Sequence, residues 1–300
     1  MIVVHSPRYQ IDIGPHVFPT QKYRLVADSL SRHEGVAFRE PEPANWDQLA
    51  LVHTPDYLAR IRTGTLTLEE LSQLELPWSA EMVEGFRLMV GGTIQAASMA
   101  SGQSSGFRVV CHLGGGLHHA FPNHGEGFCP FNDVAVAARV LQARGVDRVA
   151  IVDLDVHHGN GTAFIFESDP RVFTFSMHQQ HNYPMWKPRG SLDVGLPDGV
   201  HDATYLHELA QALPRVMAHA PQCVFYLAGA DPYEDDQLGG MRLTKEGLRR
   251  RDRLVIEVVR AAGVPLVITL AGGYARRIED TVAIHTATIE EASNAGGTPP

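Results

Sequence analysis

Polar and apolar positions follow two rhythms along this chain. Continuous apolar runs stand at Arg108–His112 (RVVCH), Arg148–Leu154 (RVAIVDL), Val172–Ser176 (VFTFS), Cys223–Ala228 (CVFYLA) and Pro265–Leu270 (PLVITL). Short runs of this kind, without alternation, predict strands buried on both faces, as in a parallel sheet. Helical patterns lie between or after most of them. One spans Ser79–Ser101, with Ser79 as a cap and an end before Gly102; a second spans Asn132–Arg144, ending before Gly145. A third, Thr204–His219, sets Leu206, Leu209, Leu213, Val216 and Met217 on one face, with a bend expected at Pro214. Thr244–Ala262 starts at a Thr cap and stops before Gly263, and Arg277–Glu291 follows. Strands alternating with helices, uninterrupted by a linker, predict one α/β domain over residues 1–292, with a largely parallel central sheet and helices on both faces. Residues 293–300 (SNAGGTPP) read as a flexible tail. Residues Met177–Asp202 show no periodicity, and such a long segment in a compact domain is usually functional.

Bulk properties narrow the classes. The chain has 300 residues, enough for a full core without staples. No apolar run reaches membrane-spanning length, and MIVVHSPRY lacks the marks of a secretory signal. Cys111, Cys129 and Cys223 are an odd set with no metal-type spacing, which reads as free buried thiols in a cytoplasmic protein. The net charge is −9, with no basic patch, so direct nucleic-acid binding is not expected. Cationic substrates are tolerated by that balance but not selected by it. Sixteen histidines, several clustered, are many for this length.

The chemistry gathers where the strands end. In an open parallel sheet, ligands bind beyond the carboxyl ends of the strands. After VVCH comes LGGGLHHA, with His118 and His119; after VAIVDL come Asp155, His157 and His158; after VFTF come Ser176 and His178; after CVFYLAGA comes Asp231; after VITL come Gly272, Gly273 and Tyr274. Asp155 and His157 are two apart, so an extended strand end points both to one side. With Asp231 they make a three-ligand set that leaves zinc a position for water, the arrangement of a catalytic site. Read alone, Asp155 could equally cap the next helix. Adjacent imidazoles at His118 and His119 suit proton transfer. Tyr274 could aim its hydroxyl at a developing oxyanion, or be a core tyrosine. Phe128, in GEGFCPFND, could line an apolar channel or belong to the core.

GGGLHHA, GFCPFND, DLDVHHGNGT, Ser176-Met177-His178, AGAD and AGGY stand in the order found in zinc-dependent histone deacetylases, which the chain resembles over nearly its whole length. HSPRY, VHTPDYL, SMHQQHNYP and LAGADPYEDDQLGG resemble the class IV branch and its bacterial relatives. The resemblance implies the arginase–deacetylase fold and a histone-deacetylase-like catalytic domain. It implies that Asp155, His157 and Asp231 hold one Zn2+, or Fe2+, and that His118 and His119 are the catalytic pair. Asp153 then backs His118, Asn160 stands behind His119 where some classes carry an aspartate, and Tyr274 polarises the substrate carbonyl. Asp153, Ser176 and Met177 match a structural K+ or Na+ site. Gly127, Phe128 and Leu238 match the acyl-lysine tunnel, with Tyr183 or Trp186 as the facing wall. Ala271 replaces a glycine common in relatives.

The implied substrate is an acylated lysine peptide or protein, or an acylated polyamine, hydrolysed by metal-activated water. An esterase or small-molecule amidohydrolase on the same scaffold is the nearest alternative. An arginase-like enzyme needs two manganese ions and a richer aspartate set, and a non-catalytic binding member would be expected to have lost ligands or the tyrosine. Acyl length, oligomeric state and the rim loops near 12–25, 64–80 and 179–202 stay open at this level.

Overall fold

A computed structural model describes residues 1–102 and 107–296. Among the described residues, eight parallel strands form one sheet: β1 (Ile2–Val4), β2 (Ala37–Arg39), β3 (Val109–His112), β4 (Val149–Asp153), β5 (Val172–Gln179), β6 (Leu192–Leu196), β7 (Cys223–Leu227) and β8 (Leu266–Thr269). Their spatial order is β2-β1-β3-β8-β7-β4-β5-β6. The five apolar runs are β3, β4, β5, β7 and β8, and every residue of β3, β4, β7 and β8 is buried. Helices on both faces leave these strands no wet side, which is why their sequences do not alternate. Three strands escape the apolar-run pattern. β1 and β2 have three residues each, and β6, an edge strand, buries only its two terminal leucines.

The helices among the described residues are α1 (Lys22–Leu30), α2 (Trp46–Leu49), α3 (Pro55–Thr63), α4 (Leu68–Leu74), α5 (Ala80–Ala100), α6 (Asp133–Ala143), α7 (Asn160–Phe166), α8 (Asp202–Ala218), α9 (Lys245–Ala261) and α10 (Ile278–Gly296). The caps predicted at Ser79 and Thr244 form, and Asn132 caps α6 as well. Ser79 Oγ accepts from Met82 N at 3.0 Å, Asn132 Oδ1 from Ala135 N at 3.0 Å and Thr244 Oγ1 from Gly247 N at 2.9 Å. Pro214 sits inside α8, which buries Tyr205, Leu209, Ala212, Leu213 and Val216 along one face. α10 runs on to Gly296, so residues 293–296 of the expected tail are helical, and 297–300 lie outside the described residues. The expected loop 177–202 is partly strand: β5 continues to Gln179, and β6 lies within the segment. Cys111, Cys129 and Cys223 are buried and free. No described helix is long and apolar enough to cross a membrane.

The chain builds the sheet from two separate patches. β1 to β3 form one side and β4 to β6 the other; β7 then pairs with β4, and β8 closes the gap between β7 and β3. The loops leaving β3, β4, β7 and β8 therefore emerge side by side at one edge.

Candidate active site

Asp155, His157 and Asp231 meet at that edge, all buried, with one potential ligand atom of each within 4.8 Å of the others. β4 ends at Asp153, so Asp155 and His157 converge in the bend after the strand and not along its pleat. His157 Nδ1 lies 3.0 Å from Asp155 Oδ1 and 3.5 Å from Asp231 Oδ2. Asp231 Oδ1 accepts from Val156 N, and Asp155 Oδ2 from Gly272 N. Asp231 Oδ2 is wholly buried and accepts no hydrogen bond. Burial and the neighbouring Asp155 charge push the Asp231 carboxyl up to about 7. Burial works against a charge on His157, yet Asp155 and Asp231 outweigh it and push the imidazole up to about 10. The cluster thus asks for positive charge between two carboxylates, with an orphaned oxygen facing it. A divalent cation with N/O ligands satisfies that demand.

His118 and His119 stand beside the cluster, ring centroids 4.0 Å apart. Asp133, at the start of α6, accepts from Gly116 N at 3.1 Å and Leu117 N at 2.7 Å and so anchors their glycine-rich loop. The two rings have different backing. His118 Nδ1 pairs with Asp153 Oδ2 at 2.7 Å, whereas His119 Nδ1 pairs with the neutral Asn160 Oδ1 at 2.7 Å. Burial alone would discharge His118, but the Asp153 and Asp155 carboxylates prevail and push it up to about 9. Burial, then the adjacent His118 and His157, hold His119 well below the ordinary histidine value. A pair of titratable groups driven apart in this way divides into an acid and a base.

A cavity of about 190 Å3 leads to these groups. Gly127, Phe128, Tyr183, Leu238 and Tyr274 line it, together with both histidines, Asp155 and His157. Trp186, the other candidate wall, is 59% exposed and stacks on Phe121, so Tyr183 is the wall residue. Each loop left open in the sequence contributes a lining side chain: Phe18, Glu75 and Asn182. Phe18 stacks on Phe128 with centroids 6.0 Å apart. Four described non-glycine residues have positive φ, and three of them, Glu75, Phe128 and Ala271, line this cavity. Strain in that region collects at functional loops. Gly272 is a glycine for a different reason: a Cβ there would lie 2.5 Å from Asp155 Oδ2 and closer still to Asp231 Oδ2.

Two further residues carried no recognisable sequence signal. Lys22, an apparently ordinary helix-start lysine, is wholly buried; its Nζ donates to Ala271 O at 2.7 Å and lies 5.6 Å from the Tyr274 ring centroid. Burial pulls it down to about 8, against the nearby Asp231 and Asp155 charges. Glu75, the left-handed residue that ends α4, faces the cavity. Ser176 and Met177, in β5, are buried, and Ser176 is the register partner of Asp153.

The chain matches the Histone deacetylase domain over residues 16–289. The chain belongs to the histone deacetylase family. The matched range holds every lining and cluster residue named above. An uncharacterized protein of Picosynechococcus sp. is 45% identical over 291 residues, covering 95% of each chain. Histone deacetylase 2 of Arabidopsis thaliana is 30% identical over 305 residues, covering 93% of this chain and 77% of that protein. The crystal structure of the HDA15 HD domain superposes with a TM-score of 0.79 at 26% identity, covering 99% of this chain and 93% of that one.

Proposed function

We propose that this histone deacetylase family member is a zinc-dependent hydrolase that removes acyl groups from amines. The carrying observation is the buried Asp155–His157–Asp231 cluster at the end of an apolar cavity, with the His118–His119 pair and Tyr274 beside it. Those three residues would hold one Zn2+, with Fe2+ a substitute of similar ligand preference. When bound, the ion acidifies a water and polarises a carbonyl. The chain's own groups do the rest. His119, kept neutral by its burial, accepts a proton at Nε2, since Nδ1 is engaged by Asn160. His118, backed by Asp153, holds the proton that the departing amine takes. Tyr274, buried at the cavity wall, directs its hydroxyl to the carbonyl oxygen as negative charge grows there. Phe18, Phe128, Gly127, Leu238 and Tyr183 enclose an apolar acyl-amine stem and exclude water from it.

Asp153 and Ser176, buried register partners on β4 and β5 next to Met177, would share a structural K+ or Na+. The substrate class is an acylated lysine peptide or protein, or an acylated polyamine. The HSPRY, VHTPDYL and SMHQQHNYP segments support placement near the class IV branch. The test is a panel of acetyl-, butyryl-, octanoyl- and myristoyl-lysine peptides and polyamines offered to the zinc-loaded chain. Turnover that Tyr274→Phe and a hydroxamate both abolish is the expected result. No turnover on any member, at one zinc per chain, overturns the amide-hydrolase reading and points to an ester.

A further inference from the structure

Glu126 lies in the GEGF run that leads into Phe128, behind the histidine pair. Its side chain is 17% exposed. Three polar groups converge on its carboxylate. Asn160 Nδ2 donates to Oε1 at 2.7 Å and the Tyr183 hydroxyl to the same oxygen at 3.1 Å; His124 Nε2 lies 3.3 Å from Oε2. Burial opposes the charge, but these hydrogen bonds prevail and hold the carboxyl below its ordinary value.

An ionised carboxylate can only accept hydrogen bonds. Asn160 must therefore turn its NH2 group towards Glu126, which turns Oδ1 towards His119 Nδ1 at 2.7 Å. An amide oxygen is also only an acceptor. His119 must then carry its proton on Nδ1, and Nε2 is left with a free lone pair. Without Glu126 the asparagine has two orientations of nearly equal shape. In the second, the NH2 group faces Nδ1, the ring proton moves to Nε2, and the base is lost. His118 needs no such device, because either oxygen of Asp153 accepts from its Nδ1.

We infer that Glu126 is a positioning residue: through the Asn160 amide it dictates the His119 tautomer that leaves Nε2 free to take a proton. The inference rests on the hydrolase reading above for its catalytic consequence, but the tautomer is a property of the folded chain alone. It also gives a reason for the asparagine. A neutral residue behind His119 orients the ring as an aspartate would, provided a carboxylate one step further out fixes the amide.

The test is ring 15N NMR of His119 in the 300-residue chain, metal-free and zinc-loaded, alongside steady-state kinetics. Glu126→Gln keeps the shape but offers Asn160 a donor as well as an acceptor, so the amide is free to turn. A second, Nε2-protonated tautomer should appear, and kcat should fall by roughly 10–100-fold, as for other partners that orient a functional imidazole, with KM changing less. Adding Asn160→Asp supplies a carboxylate whose oxygens both accept, whatever stands at position 126. The double variant Glu126→Gln/Asn160→Asp should return to one tautomer and regain most of the lost kcat. A purely structural role for Glu126 would leave the double variant as impaired as the single one, and that result overturns the inference. So does a single His119 tautomer in Glu126→Gln. Absence of amide hydrolysis by the unmodified chain would instead count against the proposed function, while the ring spectra would still decide the role of Glu126.

Discussion

Gly272→Ala tests the proposed metal site without replacing any of its three ligands. The φ of Gly272 is not among the left-handed values, so alanine fits its backbone, and the effect is one of space. The new Cβ would sit 2.5 Å from Asp155 Oδ2, where real Cβ contacts essentially never fall under 3.0 Å. Asp155 Oδ2 has to retreat by at least ~0.5 Å, and Asp231 Oδ2 by more, whereas metal–ligand distances tolerate about 0.2 Å. Backing the Gly272 backbone away from the carboxylates would stretch the bond from Gly272 N to Asp155 Oδ2, now 2.8 Å. Metal affinity should fall by roughly 100-fold or more, with turnover falling in step. Chelator competition followed by elemental analysis reads the affinity, and far-UV circular dichroism verifies the fold. A Gly272→Ala protein that keeps one zinc per chain at unchanged affinity would show that the Asp155–Asp231 geometry is not what holds the ion.

Tyr274→Phe should lower turnover by on the order of 10²–10³ while metal content stays at one per chain, because only an oxyanion donor is lost; unchanged kcat would remove Tyr274 from the chemistry. Lys22 should give a distinctive pH signature. Its folded value of about 8 lies below the ordinary 10.5, so the unfolded chain binds more protons between those limits and stability gains with rising pH there. Relative to Lys22→Met, the native chain should thus be least favoured below pH 8 and recover on the order of 3 kcal/mol by pH 10.5; urea titrations showing a pH-independent difference would contradict the burial cost. Ala271, at φ 51, occupies a conformation that costs an L-residue about 1 kcal/mol. Ala271→Gly should raise stability by up to about that amount, and a loss of stability would mean that the extra freedom glycine gives the unfolded chain outweighs the relieved strain.

Much of the site is legible in the sequence because strand ends deliver it. Asp155, His157, Asp231, the histidine pair and Tyr274 all follow apolar runs, and the order of the sheet brings those runs together. What is not legible lacks a periodic or apolar marker. α7 begins at Asn160-Gly161 with no side-chain cap, so DVHHGNGT reads as loop. β6 (LDVGL) buries only Leu192 and Leu196, the look of any edge strand and of many loops. Lys22 is charged and opens an amphipathic helix, and nothing local says that its amine is enclosed by Phe18, Tyr23 and Tyr274. Tyr183 and Trp186 could not be separated from sequence. The choice depends on which ring reaches His119, and Tyr183 does so edge-on at 5.0 Å.

The order in which the sheet is assembled has a consequence for biosynthesis. β7 and β8 occupy the middle of the sheet but are made last, after the strands of both flanking patches. Until they arrive, β3 and β4 each present an open inner edge, a template for pairing with another chain. Asp231 and Tyr274 follow these two late strands. A nascent chain stopped before residue 223 therefore has half of each requirement, two ligands without the third and a histidine pair without the tyrosine. A metal held by Asp155, His157 and Asp231 would enter only as the central gap closes, so chains truncated before residue 223 should aggregate to the same extent whether or not zinc is supplied.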